Sequence, residues 1–476
     1  MSDCCTTEGS RKGGYDLAVI GAGSAGFSAA ITAADQGANV ALIGHGTIGG
    51  TCVNVGCVPS KTMIRAAEAL HGVRAAQRFP GLVGEASVAN WPALVAAKDE
   101  LVTSLRQKKY IDLLPEYNGV AYLEGAARLN GQGVMVNGAA ISAGKIIIAT
   151  GTSPALPDIP GIEEVPYLTS TTALELGALP RSLLVIGGGY IGCELAQMFA
   201  RVGVAVTLIT RRRLLPEAEP EISEALTGYL RDEGITVRTG LTYRGIARTA
   251  AGVELSITTD GAQQVIAAEQ VLVAIGRAPN TDGLGLVEAG IAQADNGSVV
   301  VDDRMRTSRP DVYAAGDVTG RDQFVYMAAY GAKLAAHNAL NGDDLVYDNT
   351  VMPWVTFTDP QVAGVGLSER AAQAAGFETK TSIVALDQVP RALAARDTRG
   401  LIKLVADKTS DRLLGGQIVA PEGADSIQTM VLAIKHGMTT KALGETIFPY
   451  LTTVEGLKLA ALSFTKDVKQ LSCCAG

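Results

Sequence analysis

The stretch YDLAVIGAGSAG (15–26) decides the fold. YDLAVI reads as a short buried strand, and GAGSAG (21–26) opens a helix of small apolar residues that runs to about Gln36. A second strand, NVALI (39–43), follows. A G-x-G-x-x-G in this strand–turn–helix–strand setting is the signature of a dinucleotide site. Gly21 permits the tight turn, Gly23 lets the backbone approach a pyrophosphate, and Gly26 lets the helix pack closely on the strand. The unpaired amides at the helix N-terminus then face the phosphates. One element departs from the pattern. The acid expected about 20 residues on, which binds ribose hydroxyls, is missing, and Gly44 stands in its place in LIGHG (42–46). Backbone groups or His45 are left to substitute for it.

The pattern recurs. SLLVI (182–186) leads into GGGYIG (187–192), a helix and the strand VAVTLIT (204–210), with Gly187, Gly189 and Gly192 at the same spacing. Two such units imply two dinucleotides. After the second strand comes RRR (211–213), where the other type of site carries an acid. Arg211 and Arg212, with Arg213 as a third, can pair with a 2′-phosphate that an acid would repel, so the sequence favours NADPH over NADH. The competing reading is a solvated basic loop.

Bulk properties limit the rest. At 476 residues the chain is long enough for two to four domains. Apolar residues make up 47% and Gly numbers 55, as in α/β proteins with many tight turns. A net charge of −8 leaves no footprint for nucleic acid. No apolar run reaches the roughly 18 residues that span a bilayer, so no membrane insertion is expected. The start, MSDCCTTEGSRKGG (1–14), is polar and lacks the apolar core of a secretory signal, which makes a cytoplasmic location the expectation. Thiols stay reduced there unless they do redox or metal chemistry. The seven cysteines fall as Cys4-Cys5, Cys52 and Cys57, Cys193, and Cys473-Cys474, which is no disulfide framework.

GGTCVNVGCVPSK (49–61) is the most specific stretch. In a regular helix, with a rise of about 1.5 Å and about 100° per residue, Cys52 and Cys57 would lie on different faces and too far apart to bridge. If they pair, the backbone is irregular there, which Gly56 would ease. A bridge closing so short a loop adds little stability through chain entropy, so a redox role suits the pair better than a staple.

On these motifs the chain resembles the pyridine nucleotide–disulfide oxidoreductases, a family of flavoproteins, over nearly its whole length. KIIIATG (145–151), VLVAIGRAPNT (271–281) and DVYAAGD (311–317) match the family's domain junctions and flavin-binding strand. The resemblance implies an α/β fold with two Rossmann-like domains, for FAD and NADPH, and a C-terminal α+β dimerisation domain. The expected boundaries are 1–150 with 279–346 for the FAD domain, 151–278 for the NADPH domain and 347–476 for the last. It assigns Gly21, Gly23, Gly26, Gly50, Thr51, Gly151 and Asp317 to FAD, and Gly187, Gly189, Gly192, Arg211, Arg212 and Gly276 to NADPH. By the same resemblance Cys52 is the interchange thiol and Cys57 the charge-transfer thiolate of a redox-active disulfide. Lys61 and Glu194 form an ion pair beside the flavin, and Tyr190 covers the flavin until nicotinamide displaces it. The helical stretch FVYMAAYGAKLAAHNAL (324–340) points its N-terminus at the flavin. Cys193 reads as a small core residue.

Members that act on disulfides carry a His–Glu pair in a segment like H-P-T-x-x-E. Here that segment is YLTTVE (450–455), which keeps Glu455 but has Tyr450 for the histidine. A phenol, with a pKa near 10, is a poor proton relay at neutral pH. The segment 448–476, ending LSCCAG, is similar to the C-terminus of the family's mercuric reductases. Soft thiolates suit a soft cation. The resemblance therefore implies Hg(II) thiol complexes as substrate. A mobile Cys473/Cys474 pair would hand Hg(II) to Cys52 and Cys57 of a partner subunit in a homodimer. Tyr450 and Tyr110 match tyrosines of the metal site, though Tyr110 reads equally well as a packing residue. Two rivals are a large thioredoxin reductase, which keeps the histidine, and a non-enzymatic thiol protein that sequesters metal, against which stand the intact glycines, Lys61, Glu194 and Asp317.

Overall fold

The structure, a computed structural model, describes residues 14–467. The chain divides into two compact units: residues up to 58 with 100–153 and 277–348, and residues 59–99 with 154–276 and from 349 onward.

The first unit is built on a parallel sheet. Its central strand β1 (Tyr15–Ile20) is followed by the helix α1 (Ser24–Asp35) and the strand β2 (Val40–Gly44). Next come the short helix α2 (Gly50–Asn54), the long helix α3 (Cys57–Ala75), which runs on into the second unit, and the strand β3 (Val120–Glu124). The strand order is 312–314, 143–148, β1, β2, β3, with every pairing parallel. Leu17, Ala18 and Val19 are fully buried, as a strand covered on both faces requires. Helix Val325–Asn341 packs along α1, and Ser28 Oγ donates to the Ala329 carbonyl at 3.0 Å. Ile20, Ile43, Ile146, Ile148, Leu286 and Val318 form part of the core.

The second unit repeats the plan with a parallel sheet in the order 236–238, 205–209, 182–186, 270–273, 167–168. An antiparallel ribbon of strands 242–249, 252–259 and 262–268 packs on it through Ile246, Leu255 and Ile257. The C-terminal part is a five-stranded antiparallel sheet in the order 353–356, 361–366, 413–420, 401–407, 379–385. Helices Gly423–Lys435 and Glu455–Leu462 cover it. A buried ion network crosses this unit: Arg201 pairs with Glu233 at 2.7 Å and Asp359 at 2.9 Å, and Arg399 reaches the same two acids. No helix among the described residues is long and apolar enough to cross a membrane.

The two glycine motifs are near copies in space. Gly21 has φ +120 and Gly187 φ +124, and a Cβ on either would lie 2.6 Å from a backbone carbonyl carbon of the neighbouring strand, that of Ala149 or Ala274. The third glycines are as tight, since a Cβ on Gly26 would meet the Gly21 carbonyl and one on Gly192 the Gly187 carbonyl. The second glycines differ. A Cβ on Gly189 meets nothing within 4 Å, and one on Gly23 meets only the Gly50 Cα at 3.5 Å. Gly26→Ala is therefore expected to destabilise the apoprotein by about 3 kcal/mol, while Gly23→Ala leaves its stability nearly unchanged. Urea unfolding followed by circular dichroism compares the two.

Candidate active site

The redox loop grows directly out of the first glycine turn. The Gly49 amide donates to the Ala22 carbonyl at 2.9 Å, and Gly49 and Gly50 both take left-handed backbone angles, φ 97 and φ 66. A Cβ on Gly50 would lie 2.5 Å from the Gly23 Cα, so the two loops touch backbone to backbone. This junction starts α2, which carries Thr51 and Cys52, and ends at Val55, where φ is −140. A new helix, α3, begins at Cys57. The break puts Cys52 and Cys57 on two separate helices rather than in one regular helix. Gly56 makes the break possible: a Cβ there would sit 2.9 Å from the Thr51 carbonyl and 3.3 Å from the Cys52 Cα. Cys52 is half-buried and Cys57 is exposed at the first position of a 19-residue helix, where the helix dipole favours a thiolate.

Tyr110 sits beside this loop. It lies in a π-helical turn, Gln107–Ile111, a form that often marks functional positions. Its ring meets Phe27 edge-on at 4.8 Å, and its Cδ2 would be 3.3 Å from a Cβ at Gly49. Burial pushes its hydroxyl above the ordinary range, against a hydrogen bond with Ser24, and negative charge on Cys52 or Cys57 would push it further. Tyr110 is thus a protonated phenol within electrostatic reach of both thiols, as well as a packing residue.

A polar chain ties the loop to Asp317. That residue begins a 3-10 turn after strand Val312–Ala314, with Gly316 at φ 78. Thr152 Oγ1 donates to Asp317 Oδ2 at 3.0 Å, and Arg277 Nε donates to Thr152 Oγ1 at 2.7 Å. The same guanidinium reaches the Thr152 carbonyl at 2.6 Å and Thr51 Oγ1 at 3.4 Å. Burial raises the Asp317 carboxyl above its ordinary value, while Thr152 and Arg277 pull it back. Arg277 and Thr152 were missed in the sequence, because only Gly276 of the GRAPNT stretch carried a role there. A buried-charge argument on the one arginine of that stretch would have pointed to it. Gly151 accepts from the Asn280 amide at 2.9 Å.

In the second unit, Lys61 Nζ donates to Glu194 Oε2 at 2.7 Å and lies 5.0 Å from the Phe357 ring centre. Glu194 is only 4% exposed, and its other oxygen accepts the Phe357 amide at 2.8 Å. Lys61 follows Cys57 by four residues on α3, one helical turn. Tyr190, at the start of helix Tyr190–Arg201, stacks obliquely on Trp354 at 6.0 Å. Burial, with Glu217 adding, pushes its hydroxyl up to about 12, so it offers a ring rather than a proton. At the end of strand Ala205–Ile209, Arg211 and Arg212 are exposed. Arg213 is not available in the same way, because its guanidinium donates to the carbonyls of Pro216 at 2.8 Å and Ala218 at 2.6 Å. Gly276 has φ 126 and accepts from the Ala155 amide at 3.0 Å. Cys193 is fully buried in the core with its thiol pushed far up by burial, a structural residue.

The family model described as pyridine nucleotide-disulphide oxidoreductase matches residues 15–336, and its dimerisation domain matches residues 352–461. The chain belongs to this family. Among its curated relatives are mercuric reductases from Staphylococcus aureus, 47% identical over 98% of this chain and 85% of the relative, and from Streptomyces lividans, 47% identical over 97% and 99%. The solved HOCl-induced flavoprotein disulfide reductase RclA of Escherichia coli superposes with a TM-score of 0.83 at 30% identity, covering 95% of this chain and all of that one.

Enzymes of this family contain FAD and use NADPH, and the residues present fit both. Helix α1 and helix Tyr190–Arg201 each start at a glycine, Gly23 or Gly189, with no side chain capping the first amides. Beside those amides lies the space left by the second glycine of each motif. Two amide-lined cradles of this kind suit two pyrophosphates. Near the C-terminus, Tyr450 is 51% exposed and Glu455 opens the helix Glu455–Leu462. Glu455 Oε2 is buried without a hydrogen-bond partner among the described residues, at the place where the disulfide-reducing members supply a histidine. Cys473 and Cys474, like Cys4 and Cys5, lie outside the described residues. Among the described residues no cluster of three or more metal-binding side chains occurs.

Lys61→Met would leave the Glu194 carboxylate buried with one amide for company. A loss of about 3 kcal/mol is expected, with Lys61→Met/Glu194→Gln recovering at least half of it in the same urea titration.

Proposed function

We propose that this chain is an NADPH-dependent flavoprotein that reduces Hg(II) to Hg(0), working as a homodimer. The carrying observation is the combination of an intact Cys52/Cys57 loop with Tyr450 in place of the proton-relay histidine. Full-length relatives named as mercuric reductases support it. The bound cofactors supply an electron pair from NADPH by way of FAD to the thiol pair. Residues 1–150 with 279–346 hold FAD, 151–278 hold NADPH, and 347–476 form the dimer contact in this reading.

Hg(II) arrives as a complex RS–Hg–SR with small thiols. Two protein thiols displace two small ones: two Hg–S bonds form, two break, and the protons of the protein thiols leave on the released RSH. Cys473 and Cys474 of one subunit collect the metal this way, and Cys52 and Cys57 of the partner receive it. Overall, Hg(II) + NADPH gives Hg(0) + NADP⁺ + H⁺. Ligand exchange moves protons only between thiols, so no histidine is needed to protonate a disulfide leaving group. Tyr110, a phenol that burial keeps protonated, and Tyr450 line the metal site in this reading, and Arg277 offers positive charge near Cys57. Lys61, held by Glu194, keeps a cation one turn from Cys57. Asp317 would hold the flavin's polyol chain, and Tyr190 would lie where the nicotinamide ring is to bind.

The alternative, reduction of a disulfide, is what the name of the Escherichia coli structural relative describes for that protein. NADPH oxidation measured in excess thiol separates the two. Hg(II) is expected to support turnover, and oxidised glutathione or thioredoxin is not. Turnover with a disulfide and none with Hg(II) would sink the proposal. In the same assay Cys473→Ala/Cys474→Ala is expected to lose turnover on thiol-bound Hg(II) while NADPH still bleaches the flavin.

Arg211→Ala/Arg212→Ala removes the two available 2′-phosphate partners. An increase of about tenfold or more in KM for NADPH is expected, with KM for NADH unchanged, from steady-state rates with each nucleotide.

A further inference from the structure

The ribose-binding acid that a dinucleotide site carries at the end of its second strand is absent here, and the structure shows what occupies its place. Gly44 ends β2 and pairs in register with Glu124 of β3, while Leu42 pairs with Tyr122. The Tyr122 side chain extends over Gly44. A Cβ at residue 44 would overlap the Tyr122 hydroxyl oxygen and would lie 2.7 Å from its Cε2 and 2.9 Å from the Ala22 Cβ. The phenol therefore stands where the side chain of residue 44 would begin, against the second residue of the glycine turn. Tyr122 is half-buried, and among the described residues its hydroxyl has no hydrogen-bond partner. Burial, with Glu124 adding, holds the hydroxyl above its ordinary range, so at neutral pH it keeps its proton and both donates and accepts. His45, the other residue at hand, is exposed on the loop beyond the strand.

We propose that Tyr122 binds the adenosine ribose hydroxyls of FAD in place of the missing acid, with Gly44 retained because any side chain there would collide with the ring. A vicinal diol can give one hydrogen to the phenol oxygen and take the phenol's own. The inference rests on the assignment of FAD to the first glycine motif.

The test is FAD binding to the deflavinated protein, followed by quenching of flavin fluorescence. FAD is compared with its 2′-deoxyadenosine and 3′-deoxyadenosine analogues. Tyr122→Phe is expected to bind FAD about fivefold to tenfold more weakly and to discriminate less against at least one deoxy analogue than the wild type does. Thermal unfolding of the apoprotein should be unchanged, which separates a lost hydrogen bond from lost packing, and His45→Ala should behave as wild type. Wild-type FAD affinity in Tyr122→Phe would overturn the proposal alone, as would an equal loss for FAD and both analogues, or discrimination lost in His45→Ala instead. An apoprotein that binds no FAD would overturn the underlying assignment and this proposal together.

Discussion

The contact of Gly50 on Gly23 is the constraint on which the site depends. It lets the loop that carries the reactive thiols lie directly on the loop that is to hold a pyrophosphate, with no side chain between. The approach requires glycine at position 50, where a Cβ would lie 2.5 Å from the Gly23 Cα, whereas a Cβ on Gly23 would make only an ordinary contact at 3.5 Å. Gly49 and Gly50 also need left-handed backbone angles that other residues adopt only at a cost. From that point Thr51, Cys52 and the break at Val55 follow within a few residues, so the thiols are positioned by backbone geometry rather than by side-chain packing.

Within each unit, buried charge comes with its partners supplied. Asp317, Thr152, Arg277 and Thr51 form one chain of hydrogen bonds in the first unit. Lys61, Glu194 and the Phe357 amide form another in the second. Burying an acid or a base alone would cost far more than it returns. Here Asp317 has Thr152 and Arg277 as partners, and Glu194 has the Phe357 amide and Lys61, whose side chain is itself 31% exposed. Glu455 Oε2 is the exception, a buried oxygen without a hydrogen-bond partner among the described residues.

Much of the site was legible because it is built from local patterns. Both glycine turns appear where the spacing places them, and the helix expected over 324–340 is observed as Val325–Asn341. Gly56, read as easing an irregular backbone, is the point at which the helix breaks. What escaped the sequence depends on contacts between distant segments. Arg277 and Thr152 are 125 residues apart and neither lies in a glycine motif. Arg213, the third of the arginine run, is engaged by its hydrogen bonds to Pro216 and Ala218, which the sequence could not show. Tyr110 offered no pattern that separated packing from function, and the structure shows its packing on Phe27 and its place beside the thiol loop.

The sequence by itself determined the two dinucleotide units and the thiol loop, because each rests on residue types at short fixed spacings, while the replacement of a histidine by Tyr450 was legible only through the family resemblance. It determined too that an acid was missing at Gly44. Only the tertiary structure decided what fills that gap. Strand register sets Tyr122 beside Leu42, and the reach of its side chain then carries a hydroxyl over Gly44 to Ala22. Pairing between β2 and β3 brings together residues 80 apart in number, a distance over which spacing in the chain carries no information.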